Sequence, residues 1–149
     1  MADKLYFEDI EVGQKFAGDT IAVDRELMLT IASNFDDQGM HTDTESANAM
    51  GFKDIIASGA YIFAVACKTV KCITDQYHFL PSGRGIEVSF VRPVYAGDVL
   101  TAHAEVVSTR ASEKGGRGWA TFKVDYVNQD DVTVAEISWP WLFRTRPVE

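Results

Sequence analysis

Positive charge is scarce in this sequence of 149 residues, and the scarcity argues against one class of function. Lysine and arginine together number 14, against 22 aspartate and glutamate residues, so the net charge near neutral pH is −8. A general nucleic-acid binder needs a basic face to displace counterions from phosphate groups. We therefore expect no nucleic-acid partner.

Long apolar runs are also missing. The longest unbroken run, from Ala60 to Cys67, has eight residues, whereas a membrane-spanning helix needs about 20. The first residues contain no apolar stretch like that of a secretory leader. We expect a cytoplasmic protein that has no membrane association.

Cysteine is rare as well. The two cysteines, Cys67 and Cys72, are five positions apart within one predicted helix, where their side chains point in different directions. An internal disulfide between them is therefore not expected. Apolar residues make up 46% of the chain, and no repeat, linker or low-complexity stretch interrupts it. The sequence predicts a single domain over residues 1–149.

Apolar residues recur at helical spacing after a first predicted strand, Lys15–Val23. Asp24 is a suitable N-cap for the helix that follows. One apolar stripe of this helix consists of Met28, Ile31, Ala32 and Phe35. A short second helix is predicted to begin at Thr42, because Thr42 and Glu45 have capping-box spacing, and to end at Gly51.

The most apolar predicted helix starts at Ser58-Gly59 and runs to about Tyr77. It is apolar on every side from Ala60 to Cys67, so we expect neighbouring elements to cover it all round. Four strand patterns follow, separated by turn signals: Ile86–Val94, Val99–Thr109, Trp119–Asn128 and Val132–Phe143. This order predicts an α+β fold, in which an antiparallel sheet wraps around a long apolar central helix.

Polar side chains with acid–base chemistry cluster after the first helix. Asp36, Asp37, Gln38 and His41 fall within six residues. A carboxylate and an imidazole together can exchange protons near neutral pH. The same residues are also typical of a solvated helix end, and His41 with Asp43 offers two ligands to a metal ion.

A second candidate lies where the chain enters the apolar helix. The backbone N–H groups of a first helical turn lack internal partners, and a glycine allows a substrate carbonyl to approach them closely. Gly59 therefore suits the polarisation of a carbonyl or the binding of an oxyanion. The alternative is that Ser58 only caps a core helix and that Gly59 only permits tight packing.

Three segments at their mutual spacing resemble the MaoC-like dehydratase family. Asp36 and His41 fit the family's D-x-x-x-x-H motif, and Ser58-Gly59 fits its helix entry. The segment Phe90–Leu100 looks like its second signature, an aromatic-x-x-Pro-Val-x-x-Gly-Asp-x-Leu strand and turn. The chain departs from many hydratases of the family at Gln38-Gly39, where they have Asn-Pro, and at Ser58, where they have His.

The resemblance implies a hot-dog fold and an acyl-thioester substrate, attached to coenzyme A or to an acyl carrier. The implied reaction is the (R)-specific hydration of a trans-2-enoyl thioester, or the reverse dehydration, with no metal or cofactor. Asp36, His41 and Gly59 match the catalytic positions, and we expect Gln38, Met40 and Ser58 to bind substrate. A thioesterase on the same fold and a non-catalytic acyl-binding protein are the alternatives.

Asp36 is preferred over its neighbour Asp37 as the catalytic carboxylate. Asp36 stands five positions before His41, whereas the position of Asp37 is often proline in the family. Asp36 also follows Phe35, which the pattern places at the end of the buried stripe, so we expect Asp36 to be held near the core.

The resemblance further implies a homodimer or a higher homo-oligomer, in which two copies pair their sheets edge to edge and place the acyl tunnel near the contact. An open sheet edge is rarely left bare in proteins, which supports the same expectation. The basic residues of the strand region have two interpretations, because they either contact coenzyme A phosphates or balance an acidic surface: Arg84, Arg92, Arg110, Lys114 and Arg117.

Overall fold

A computed structural model describes residues 2–148. After a 3-10 turn at Phe7–Asp9, the helices are α1 (Arg25–Phe35), α2 (Gly39–Thr42), α3 (Thr44–Ala49), α4 (Gly59–Thr69) and α5 (Lys71–Thr74). The strands are β1 (Lys15–Ala22), β2 (Phe79–Leu80), β3 (Glu87–Phe90), β4 (Val99–Ala111), β5 (Arg117–Val127) and β6 (Thr133–Arg144). None of the helices within residues 2–148 has the length and apolarity that crossing a membrane requires.

The strands form one antiparallel sheet in the order β1-β4-β5-β6-β2, and β3 also pairs with β6. The predicted alternation of β5 is confirmed, since Ala120, Phe122, Val124 and Tyr126 are all buried. These side chains form the inner face of the sheet, against which α4 packs through Tyr61, Ile62, Val65 and Ala66. The α+β prediction with a central helix is therefore confirmed.

Two features of the predicted central helix are wrong. The helix ends at Thr69, and only the separate short helix α5 follows it before Tyr77. One apolar side of α4 is also left open in the single chain, because Ala60, Ala64 and Cys67 are exposed and Phe63 is 39% exposed. The sheet covers one side of α4 and does not surround it.

Local capping signals predicted the starts of α1 and α4 correctly and the start of α3 incorrectly. Asp24 caps α1 and accepts a hydrogen bond from Leu27 N, as expected. The helix predicted to start at Thr42 is α3, which starts at Thr44, and the preceding helix α2 ends at Thr42. Asp43 is the cap of α3, and its carboxylate accepts from Ser46 N at 2.8 Å. Aspartate provides the same type of N-cap as threonine, so the spacing pattern alone did not show whether Thr42 or Asp43 is the cap.

Candidate active site at the start of helix α4

Asp36 and His41 lie beside each other because α1 ends at Phe35 and the chain turns directly into α2. Asp36 is the C-cap of α1, and His41 lies on α2. The distance between Asp36 Oδ2 and His41 Nε2 is 3.6 Å. The imidazole is buried, whereas 29% of the Asp36 side chain is exposed. The structure thus brings together the two residues that the motif predicts as an acid–base pair.

The carbonyl of Ile56 determines the orientation of the imidazole. His41 Nδ1 lies 2.8 Å from Ile56 O, and a carbonyl oxygen only accepts hydrogen bonds, so Nδ1 carries a hydrogen. In the neutral ring the lone pair is then on Nε2, the nitrogen that faces Asp36. This arrangement leaves Nε2 able to take a proton from a bound molecule.

Gln38 contacts the carboxylate rather than the cavity described below. Its Nε2 donates to Asp36 Oδ1 at 2.6 Å. Asp37 is exposed and makes no side-chain hydrogen bond within residues 2–148. One reason for preferring Asp36 is wrong, however, because Phe35 is 81% exposed and does not end a buried stripe.

Ser58 is buried and caps α4. Its Oγ accepts from Tyr61 N at 3.2 Å, so the capping alternative describes this hydroxyl correctly. Gly59 is the first residue of α4, where the N–H has no acceptor in the helix. A Cβ added at Gly59 would lie 2.9 Å from Phe90 Cζ, so close packing against this ring also requires a small residue.

A cavity of about 360 Å³ opens beside the pair. Of the predicted site residues, Met40, His41 and Gly59 line it, whereas Asp36, Gln38 and Ser58 do not. Residues Phe90–Val94 of the second signature also line it, and among them is Arg92, one of the basic residues with two interpretations. The sequence analysis missed the remaining lining side chains, which are apolar and give no chemical signal: Phe52, Ile56, Ala57, Ile62 and Val134. An apolar wall with a few polar groups is typical of a site for a largely apolar ligand.

The loop that carries Ile56 is held by a charged cluster that the sequence analysis did not identify. Asp54 accepts from Arg25 Nη1 at 2.8 Å, from Ile55 N at 2.8 Å and from Thr44 Oγ1 at 2.9 Å. These bonds, the one from Arg25 first, lower the pKa of Asp54 from 3.8 to about 2. The cluster therefore ties the loop to the first turns of α1 and α3.

The backbone completes the attachment of this loop. Ile56 N donates to Met40 O at 3.0 Å, and Ala57 N donates to Val94 O at 2.8 Å. Asp43, the second residue of the possible metal pair, uses its carboxylate to cap α3. Residues 2–148 contain no group of three or more histidine, cysteine, aspartate or glutamate side chains placed to hold a metal ion.

Solved structures of other proteins share this architecture. The MaoC-like dehydratase of Rhodospirillum rubrum is 26% identical, with a TM-score of 0.87 over 97% of this chain and 99% of that chain. The (R)-hydratase PhaJ1 of Pseudomonas aeruginosa, at 23% identity, has a TM-score of 0.71 over 98% and 91% of the two chains. The fold is therefore the hot-dog fold.

Sequence comparison leads to the same group of proteins. The uncharacterized protein YdeM of Bacillus subtilis is 30% identical over 132 residues, which cover 87% of this chain and 92% of that protein. Residues 9–128 match the family described as MaoC like domain. This match spans the Asp36–His41 pair, the start of α4 and the Phe90–Leu100 signature, and the chain belongs to the MaoC-like domain family.

Proposed function

We propose that the protein is an acyl-thioester hydro-lyase, which hydrates a trans-2-enoyl thioester or dehydrates the corresponding (R)-3-hydroxyacyl thioester. The observation that carries the proposal is the 3.6 Å approach of Asp36 Oδ2 to His41 Nε2 beside an apolar cavity. Family membership and the likeness to a MaoC-like dehydratase support the same reaction type.

The pair acts on one water molecule in the proposed mechanism. Two proton acceptors 3.6 Å apart can both contact the same water, since each hydrogen bond is about 2.8 Å long. The water adds to the β-carbon of the enoyl group and loses a proton to the pair. A proton then passes from the pair to the α-carbon on the same face. Such acid–base assistance contributes about 10²–10⁴-fold in rate.

Gly59 supplies the electrophilic assistance in this proposal. Its N–H lies at the positive end of α4 and borders the cavity. Donation to the thioester carbonyl stabilises the negative charge that develops on oxygen as water adds to the β-carbon. Met40 borders the same cavity and contacts the acyl group, whereas Gln38 and Ser58 support Asp36 and the helix start.

We also propose that two copies of the chain associate through β3 and α4. Within residues 2–148, β3 pairs with β6 on one side only, so its other edge is open. Phe90 on this strand is 60% exposed, and Phe63 is 39% exposed on the open apolar side of α4. A second copy that covers these groups would remove both apolar surface and an unpaired strand edge from water.

Crotonyl-CoA distinguishes the proposed activity from its alternatives. Hydration removes the conjugated enoyl absorbance and leaves the thioester intact, whereas a thioesterase releases a free thiol. A non-catalytic acyl-binding protein does neither. The proposal predicts loss of absorbance without thiol release, and thiol release at an equal or higher rate would contradict it. A panel of straight, branched and aromatic enoyl thioesters would then define the acyl specificity.

A further inference from the structure

Three arginines surround Trp119 on the outer face of the sheet, the face opposite buried Ala120. Arg110 on β4 is the cross-strand partner of Trp119, and Arg117 precedes Trp119 by two residues on β5. Cross-strand partners and alternate residues of a strand share a face. Arg84, from the loop before β3, places its guanidinium 4.6 Å from the centre of the Trp119 ring.

A fourth arginine makes this cluster electrostatically unfavourable. Arg144 on β6 is the direct cross-strand partner of Arg117, and like charges in this position destabilise a sheet. Within residues 2–148, none of the four arginines forms an ion pair with an acidic side chain. Arg146, two residues beyond Arg144, does pair with Asp9. The cluster therefore concentrates positive charge outside any ion pair in a chain of net charge −8, and the groove beside it is bordered by one further cation, Lys114, and one carboxylate, Glu113.

Two adjoining grooves, of about 510 and 410 Å³, share Arg84, Arg110 and Trp119. The second groove is also bordered by Ser108 and Thr121, whose hydroxyls can donate hydrogen bonds. Guanidinium groups bind phosphate oxygens through two parallel hydrogen bonds. We propose that this arginine cluster (Arg84, Arg110, Arg117 and Arg144) binds the phosphates of a nucleotide.

The dimensions favour a small ligand. The cluster crosses three neighbouring strands, β4, β5 and β6, and at the usual strand spacing this is a width of about 10 Å. A diphosphate or triphosphate chain fits within that width, whereas a nucleic acid would extend onto the acidic remainder of the surface.

The nucleotide can come from two sources. One is the nucleotide end of a coenzyme A thioester, an assignment that rests on the proposed function. Phe90 borders the cavity, and Arg84 lies six residues before it, so this arginine is at most about 20 Å from the cavity residue along the chain. The other source is a free nucleotide that binds independently of the acyl substrate.

Isothermal titration of the full chain with ADP and with coenzyme A tests the proposal. The test variant is R110Q/R117Q, and the matched control is K15Q/K71Q, which removes two positive charges from β1 and α5, outside the cluster and outside the proposed association surface. We expect the test variant to bind both probes at least about tenfold more weakly and the control to bind them as the wild type does.

A stability measurement separates binding from a structural role. Because Arg117 faces Arg144, R117Q should unfold at a midpoint no lower than that of the wild type.

Tighter binding of coenzyme A than of ADP assigns the site to the thioester carrier, and equal binding assigns it to a free nucleotide. The proposal is overturned if ADP does not bind at millimolar concentration, if both double variants weaken binding equally, or if a short oligonucleotide binds more tightly than either probe. If the protein had no hydratase activity, ADP would still be expected to bind to the arginine cluster.

Discussion

Replacing Asp36 with asparagine removes one proton acceptor and leaves the local hydrogen bonds possible. Gln38 Nε2 now donates to Asp36 Oδ1 at 2.6 Å, and an asparagine oxygen can accept the same bond. The asparagine NH₂ can donate to His41 Nε2, because Nδ1 already carries the hydrogen shared with Ile56 O. The variant should therefore fold with the imidazole in its present orientation.

The expected kinetic effect is large and the expected stability effect small. Loss of an acid–base group lowers turnover by about 10²–10⁴-fold, which equals about 2.7–5.5 kcal/mol in activation free energy. Since 29% of the Asp36 side chain is exposed, its interaction with His41 is partly screened by solvent, and we expect the free energy of unfolding to change by less than about 1 kcal/mol.

Asp37→Asn is the matched control for this variant, because Asp37 is adjacent, exposed and chemically identical. Crotonyl-CoA absorbance measures hydration, and urea unfolding confirms that each variant is folded. Asp37→Asn should change the rate only a few-fold. An inactive Asp37→Asn beside an active Asp36→Asn would reverse the assignment, and full activity in Asp36→Asn and in His41→Ala would refute the hydro-lyase mechanism.

Three further results are expected. Gly59→Ala should raise the activation free energy of turnover by several kcal/mol, because the added methyl group blocks the amide. The methyl group would also lie 2.9 Å from Phe90. If the blocked amide is the cause, the double variant Gly59→Ala/Phe90→Ala should remain slower than Phe90→Ala alone. The lowered pKa of Asp54, about 2 against 3.8, stabilises the fold above pH 3.8, and this contribution disappears as the pH falls through 2. The free energy of unfolding of Asp54→Asn in urea should therefore depend less on pH over this range, and parallel curves for variant and wild type would contradict the lowered pKa of Asp54. Sedimentation of the wild type should show at least a dimer at micromolar concentration, and Phe63→Lys should weaken this association. A stable 16.5 kDa wild-type monomer would refute the association.

Short-range signals in the sequence predicted what depends on neighbouring residues. The caps Asp24 and Ser58 form hydrogen bonds to backbone groups three residues ahead, so spacing alone identifies them. Gly51 has a φ of +90°, which a glycine tolerates without strain, and it follows α3 as predicted. The alternation in β5 reflects a period of two that is independent of the partner strands.

Contacts between distant segments were decided only by the tertiary structure. The orientation of His41 depends on a carbonyl 15 residues away, and the Phe90 ring packs against Gly59 of α4 from strand β3. Amphipathic spacing placed Phe35 in a buried stripe, but burial depends on what packs against a helix, and the single chain leaves this side chain exposed. The arginines of the sheet near Trp119 (Arg110, Arg117 and Arg144) are scattered in sequence and become neighbours through strand register, which is set by pairing across the whole sheet.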